Sequence, residues 1–180
     1  MADEKHLIAE VEAAGASNAA VIAVTDIPFR PEFREACAVN SCGQYGRCWM
    51  CPPDVGDIHI LIDRAKGYSR ALVYQTIHPL EDSYDFEGMT EAGRLHNQLA
   101  GQLDELVGSE LTGFLHLAAG SCRVCDTCSK IENEPCRFPE KAKASLESYG
   151  IAVSELAALC GLKYINGQDT VTFFGAMLFD

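Results

Sequence analysis

Eight of the nine cysteines fall in two short stretches, and these are where the sequence could do chemistry. The denser stretch, residues 120–139, places Cys122, Cys125 and Cys128 as CxxCxxC and adds Cys136 after seven more residues, just before Pro139. Two residues between cysteines let the chain turn and aim both sulfurs at one centre, and the third cysteine continues the curl. A run of this kind, completed by a more distant cysteine near a proline, is the pattern of bacterial ferredoxin loops, whose thiolates hold a cubane cluster. The last gap is longer here, so the likeness is one of chemistry and not of fold. Four thiolates also suit tetrahedral zinc, but such zinc sites usually come as two CxxC pairs far apart. The spacing favours an iron-sulfur cluster, with zinc as the alternative. A disulfide-stapled loop is disfavoured, because cysteines two residues apart rarely reach disulfide geometry and nothing in the chain marks it as secreted.

The other stretch, CAVNSCGQYGRCWMCPP, carries Cys37, Cys42, Cys48 and Cys51 at irregular gaps. Gly43 and Gly46 permit tight turns that would bring backbone N–H groups near sulfur, where hydrogen bonds tune a cluster. Tyr45 and Trp49 either shield the site from water or pack in the core, and Pro52 and Pro53 fix the exit of the chain. If each set holds its own cofactor, the protein carries two 4Fe-4S clusters. If ligands cross over, as in two-cluster ferredoxins, grouping by sequence misleads. Two sites are expected. Cys160, among Leu156, Ala157 and Leu159, reads as a core residue. His59, His78, His96 and His116 have no partners at ligand spacing, and His116 inside a strand reads as packed or hydrogen-bonded. No phosphate loop, HExxH or nucleophile elbow is present, so no catalytic residue is assigned.

Composition sets the frame for these loops. A length of 180 residues with 48% hydrophobic content suits one globular domain over residues 1–180. The net charge of -12 argues against nucleic acid, which needs clustered Lys and Arg. Acidity is a solubility device, and it also suits docking to a redox or metal-dependent partner protein. The acidic, amphipathic N-terminus lacks the features of a signal peptide and no segment has the length of a membrane span, so a cytoplasmic location with reduced thiols is expected.

The elements that must position the loops follow from periodicity. Helices are expected over 4–14, 32–36, 56–66, 89–106, 140–149 and 153–160, the longest with a stripe of Ala92, Leu95, Leu99, Leu103 and Leu106. Strands are expected over 18–27, 70–77, 112–118 and 170–179, the first of them buried. The order predicts an α/β fold, a single layered domain with a four- or five-stranded central sheet flanked by helices and with metal sites in cysteine-rich loops.

Taken together, CxxxxCGxYGxxWxCPP, GSCxxCxxCxxxxxxxCRxP and the following SLESYGIAV resemble a prokaryotic family of predicted metal-binding proteins of unknown function. The resemblance implies a metal-binding role for Cys37, Cys42, Cys51, Cys122, Cys125, Cys128 and Cys136. Cys48 departs from that pattern, which would leave the first set with three ligands, and KASLESYG varies the family's more usual Arg-Pro-Ser-Met-Glu form. The leading expectation is an iron-sulfur protein for electron transfer or redox support of a partner enzyme. The alternatives are a metal- or cluster-handling accessory protein and a structural zinc-binding interaction module. An enzyme reading would require a cluster iron open to substrate.

Overall fold

Strands β1 (Asn18–Ala23), β2 (Arg70–Pro79), β3 (Phe114–Leu117) and β4 (Thr170–Phe179) form one antiparallel sheet in the order β1-β2-β4-β3. The structure, a computed structural model, describes residues 3–180, so the first two residues of the acidic N-terminal segment lie outside it. The two central strands are buried on both faces, which is why RALVYQTI reads as a near-continuous apolar run. Alternation sends Ala71, Val73, Phe174, Ala176 and Leu178 to one face, and Leu72, Tyr74, Met177 and Phe179 to the other.

Helices cover both faces. α1 (Glu4–Ala13) and α4 (Phe86–Leu106) bring Leu7, Val11, Leu99 and Leu103 against the second face. α3 (Ile58–Lys66) and α5 (Val153–Leu159) bring Leu61, Ala65, Leu156 and Ala157 against the first, and the short α2 (Phe33–Ala38) buries no residue. The α/β layered arrangement therefore holds, with four strands. Among the described residues no helix is long and apolar enough to cross a membrane.

Three element readings differ from the structure. β1 stops at Ala23, opposite Arg70 at the start of β2, and the chain turns off into a 3-10 turn at Val24–Asp26. It is a half-buried edge strand and not a buried one, because among the described residues β2 is its one strand neighbour. On α4 the buried stripe is Ala92, Gly93, His96, Leu99, Ala100 and Leu103, while Leu95 and Leu106 are 40% and 41% exposed. The helix is turned so that His96 reaches Thr76 on the sheet, its Nδ1 lying 2.8 Å from the hydroxyl. No helix forms over residues 140–149, because that backbone is committed elsewhere. Ala118 N–H donates to the Ala144 carbonyl and Leu146 N–H to the Ala118 carbonyl, making a parallel bridge at Ala118 and Ser145. A 3-10 turn at Glu147–Tyr149 follows, ended by Gly150 at φ 72°.

One close approach on the second face ties three strands together. Tyr74 on β2 lies opposite Gly175 on β4, and its hydroxyl reaches His116 on β3, 2.8 Å from Nε2. The phenol crosses β4 only because Gly175 has no side chain; a Cβ there would fall inside the van der Waals envelope of the Tyr74 ring and hydroxyl. Gly175→Ala is expected to destabilise the protein by about 1–3 kcal/mol through overpacking. Urea denaturation checks this, and an unchanged midpoint would refute the crossing.

Candidate metal centre

The two cysteine stretches are mostly loop: Cys37 lies in the last turn of α2 and Cys42, Cys48 and Cys51 in the segment from there to α3, and the other set follows β3. The second is closed at its base by the Ala118–Ser145 bridge, so residues 119–144 leave the sheet and return to the same place. The first is strapped at both ends by Arg34, whose Nη1 donates to the Gly56 carbonyl at 2.8 Å and Nη2 to the Ser148 carbonyl at 3.5 Å. A second bridge, Phe29 with Ile151, holds the two regions side by side. At their far ends Trp49 Nε1 donates to the Glu134 carbonyl at 2.9 Å, and Lys130 pairs with Asp54 at 2.7 Å while lying 4.4 Å from the Trp49 ring centre.

Gly43 and Gly46 take left-handed conformations, φ 72° and 69°, as turns of this tightness require. Their own N–H groups close the turns, donating to the carbonyls of Asn40 and Pro52, and the backbone N–H group that reaches sulfur in this loop comes from Met50, onto Cys48. The Pro52–Pro53 bond is cis.

The first loop does not keep its four cysteines together. Cys48 lines a small apolar cavity of about 20 Å³ with Cys122, Cys125, Cys128 and Cys136, under Trp49, Met50, Val124 and Phe138. Trp49 therefore covers thiols, whereas Tyr45 does not line the cavity. Cys37, Cys42 and Cys51 form a neighbouring group whose charges act on one another. Cys48 and Cys51 join the two groups, both buried, at 1% and 8% exposure.

The electrostatics follow this placement. The Cys51 thiol, directed at Cys48, lowers its pKa against the cost of its burial, and the backbone N–H groups of Met50 and Cys122 and the Cys128 thiol act in the same direction. Cys51 is pushed far up, by the proton it shares with Cys48 and then by burial. Burial raises Cys37, with Arg34 opposing. It also raises Cys122, against the backbone N–H groups of Val124 and Lys143. The Cys48–Cys51 pair thus shares one proton, with the thiolate favoured on Cys48. All nine cysteines are unpaired. Among the described residues, no group of three or more His, Cys, Asp or Glu side chains converges closely enough to hold a single metal ion.

The family model described as predicted metal-binding protein (DUF2284) matches residues 20–179. The chain belongs to this family. No curated protein and no solved structure matches it. The matched span takes in both cysteine loops and the whole sheet apart from the first residues of β1, and leaves out α1.

Cys160 packs at the edge of the first core, half-buried, and burial pushes it up to about 11, in keeping with a packing role. The buried polar chain beside the second loop was not read from the sequence. His116 Nδ1 lies 2.6 Å from Asp104 Oδ1, so the imidazole is assigned to donate there and to accept from the Tyr74 hydroxyl at Nε2. Asp104 in turn pairs with Lys143, which follows the cysteine loop. These partners stand 12 to 42 residues apart. Only knowledge of the sheet order, which puts β2 and β3 on either side of β4, would have brought them together.

Proposed function

We propose that the chain is an iron-sulfur protein that carries electrons to, or supplies a reduced cluster for, a partner enzyme in a reducing compartment. The observation that carries this reading is the ring of thiols from Cys48, Cys122, Cys125, Cys128 and Cys136 round one apolar cavity. The donor set fits the cofactor: all are soft sulfur ligands, none is engaged in a disulfide, and hydrophobic side chains limit water around them. A single zinc ion at about 2.3 Å from each sulfur draws its ligands onto one point. The CxxCxxC spacing, three thiols from one curl, is what favours a cubane over that ion, and the cavity of about 20 Å³ would have to widen to take one in. Cys122, Cys125, Cys128 and Cys136 would hold one cluster, and Cys37, Cys42, Cys51 and Cys48 the other. A bound cubane supplies one-electron chemistry with little ligand movement. The chain's own residues supply the N–H groups near sulfur, the apolar cover and an acidic surface for a partner.

The test is metal and acid-labile sulfide analysis of protein purified without oxygen. About eight iron and eight sulfide per chain are expected, that is, two clusters of four, with a brown colour that dithionite bleaches. Zinc without sulfide would overturn the redox reading.

A second reading, metal or cluster handling, is favoured by the exposure of Cys42 next to the partly buried Cys37, since transfer needs an accessible thiol. It predicts that a mild chelator strips the Cys37, Cys42 and Cys51 group while the other retains its metal. Two equally inert sites would count against it.

A further inference from the structure

Beside the thiol cavity lies a larger cleft that the metal-binding reading does not use. It measures about 630 Å³ and is bounded by the outer face of α4, the start of the cysteine loop and residues 140–143. That volume falls within the range of small-molecule sites, about 300–1,000 Å³. Cys122 forms part of its wall, so an occupant would sit against the metal centre.

Its lining is polar and of mixed sign. Asp104 and Lys143 pair with each other at one wall, and the Tyr74–His116 chain behind Asp104 fixes them. Arg94 is held by Glu91. Arg123 and Lys141, exposed side chains that line the cleft, have no ion-pair partner among the described residues, and neither do the exposed carboxylates Glu105, Asp126 and Glu140 that also line it. The cleft therefore offers unpaired charge of both signs, unlike the chain's net charge of -12. A simple anion would meet three unpaired carboxylates, and a simple cation would meet Arg123 and Lys141. A molecule with a charge of each sign, overall neutral, can satisfy both sets and is not repelled by the acidic surface.

Gly101 lies on the same wall. It sits inside α4 on its exposed side and lines the cleft, and a Cβ there would meet nothing within 4 Å. No packing constraint excludes alanine, although glycine is among the poorest helix formers. What glycine does preserve is a low point in the wall, where a ligand can approach the helix backbone.

We propose that this cleft binds a small zwitterion, the chemical class of a free amino acid, next to the metal centre. Arg123 and Lys141 take the carboxylate, and Glu105, Asp126 and Glu140 take the ammonium. The test is calorimetric titration of the metal-loaded protein with a panel of free L-amino acids, then with the N-acetyl and methyl ester forms of whichever binds. Each blocked form removes one charge and is expected to bind at least about tenfold more weakly, the usual cost of losing a charged hydrogen bond. Gly101→Gln, which fills the cleft with a good helix former, is expected to abolish binding without lowering the melting temperature, and Gly101→Ala to retain it. Absence of binding across the panel at millimolar concentration, equal binding of the blocked forms, or unchanged affinity in Gly101→Gln would each overturn the proposal. The heat of binding is read whichever metal the thiols hold, so this outcome is separable from that of the metal analysis.

Discussion

Cys48→Ser, purified without oxygen, is expected to carry about half the iron and sulfide of the parent chain. The family pattern implies the opposite, since a first set of three ligands would make Cys48 dispensable and the substitution silent. Three observations favour a large effect. Cys48 is almost fully buried, at 1% exposure, so it is not a spare surface thiol. The Cys51 thiol and backbone N–H groups lower its pKa, which favours the thiolate form. It also lines the cavity of the second set while touching Cys51 of the first, so either grouping of ligands draws on it. A serine hydroxyl is harder and far less acidic, and does not substitute for thiolate toward iron or zinc. Cys160→Ser is the control and should leave iron and sulfide unchanged. Full iron and sulfide in Cys48→Ser would return Cys48 to a packing role and leave the first set with three thiols.

The contrast between Cys48 and its sequence neighbours shows what could be read before folding. CxxCxxC is a local signal, because four residues of backbone suffice to aim two sulfurs together, and Cys122, Cys125 and Cys128 do line one cavity. Cys48 is placed by long-range contacts instead. The Arg34 strap, the Trp49–Glu134 hydrogen bond and the Lys130–Asp54 pair press the first loop on the second, and no spacing rule contains them. Strand and helix positions were legible for the same local reason, down to the full length of β4. The expected helix over 140–149 failed because helix propensity in KAKASLE is worth little against the bridge that closes the cysteine loop at Ala118. The α4 stripe was misread at Leu95 and Leu106 because hydrophobicity alone ranked them above His96 and Gly93. A histidine enters the core when a partner waits there, and Thr76 supplies it.

That buried histidine carries the largest stability effect expected outside the thiols. His96 is fully enclosed, at 0% exposure, stacked on Tyr74 with ring centres 5.5 Å apart and next to Phe173. Burial holds it down to about 3; the His116 and His78 side chains add to the effect, and the Phe174 carbonyl opposes it. The unfolded chain takes up a proton at this residue below about pH 6.5, whereas the folded chain does so only near 3. Between those values the unfolded state binds more protons, so stability rises with pH. The contribution is full above about pH 6.5 and is lost as pH falls toward 3, and over the whole window it amounts to on the order of 5 kcal/mol. His116, also lowered by burial, acts in the same direction. Acid also protonates thiolates and releases metal, so the histidine term must be read as a difference between two proteins. His96→Asn keeps a polar atom near the Nδ1 position for Thr76 and removes the titration. It should be less stable than the parent at pH 7, through the cavity it leaves, yet lose less stability per pH unit from 6.5 to 3.5. Melting temperatures of the two proteins across that range are the measurement, and parallel curves would show that His96 does not set the acid limit of this fold.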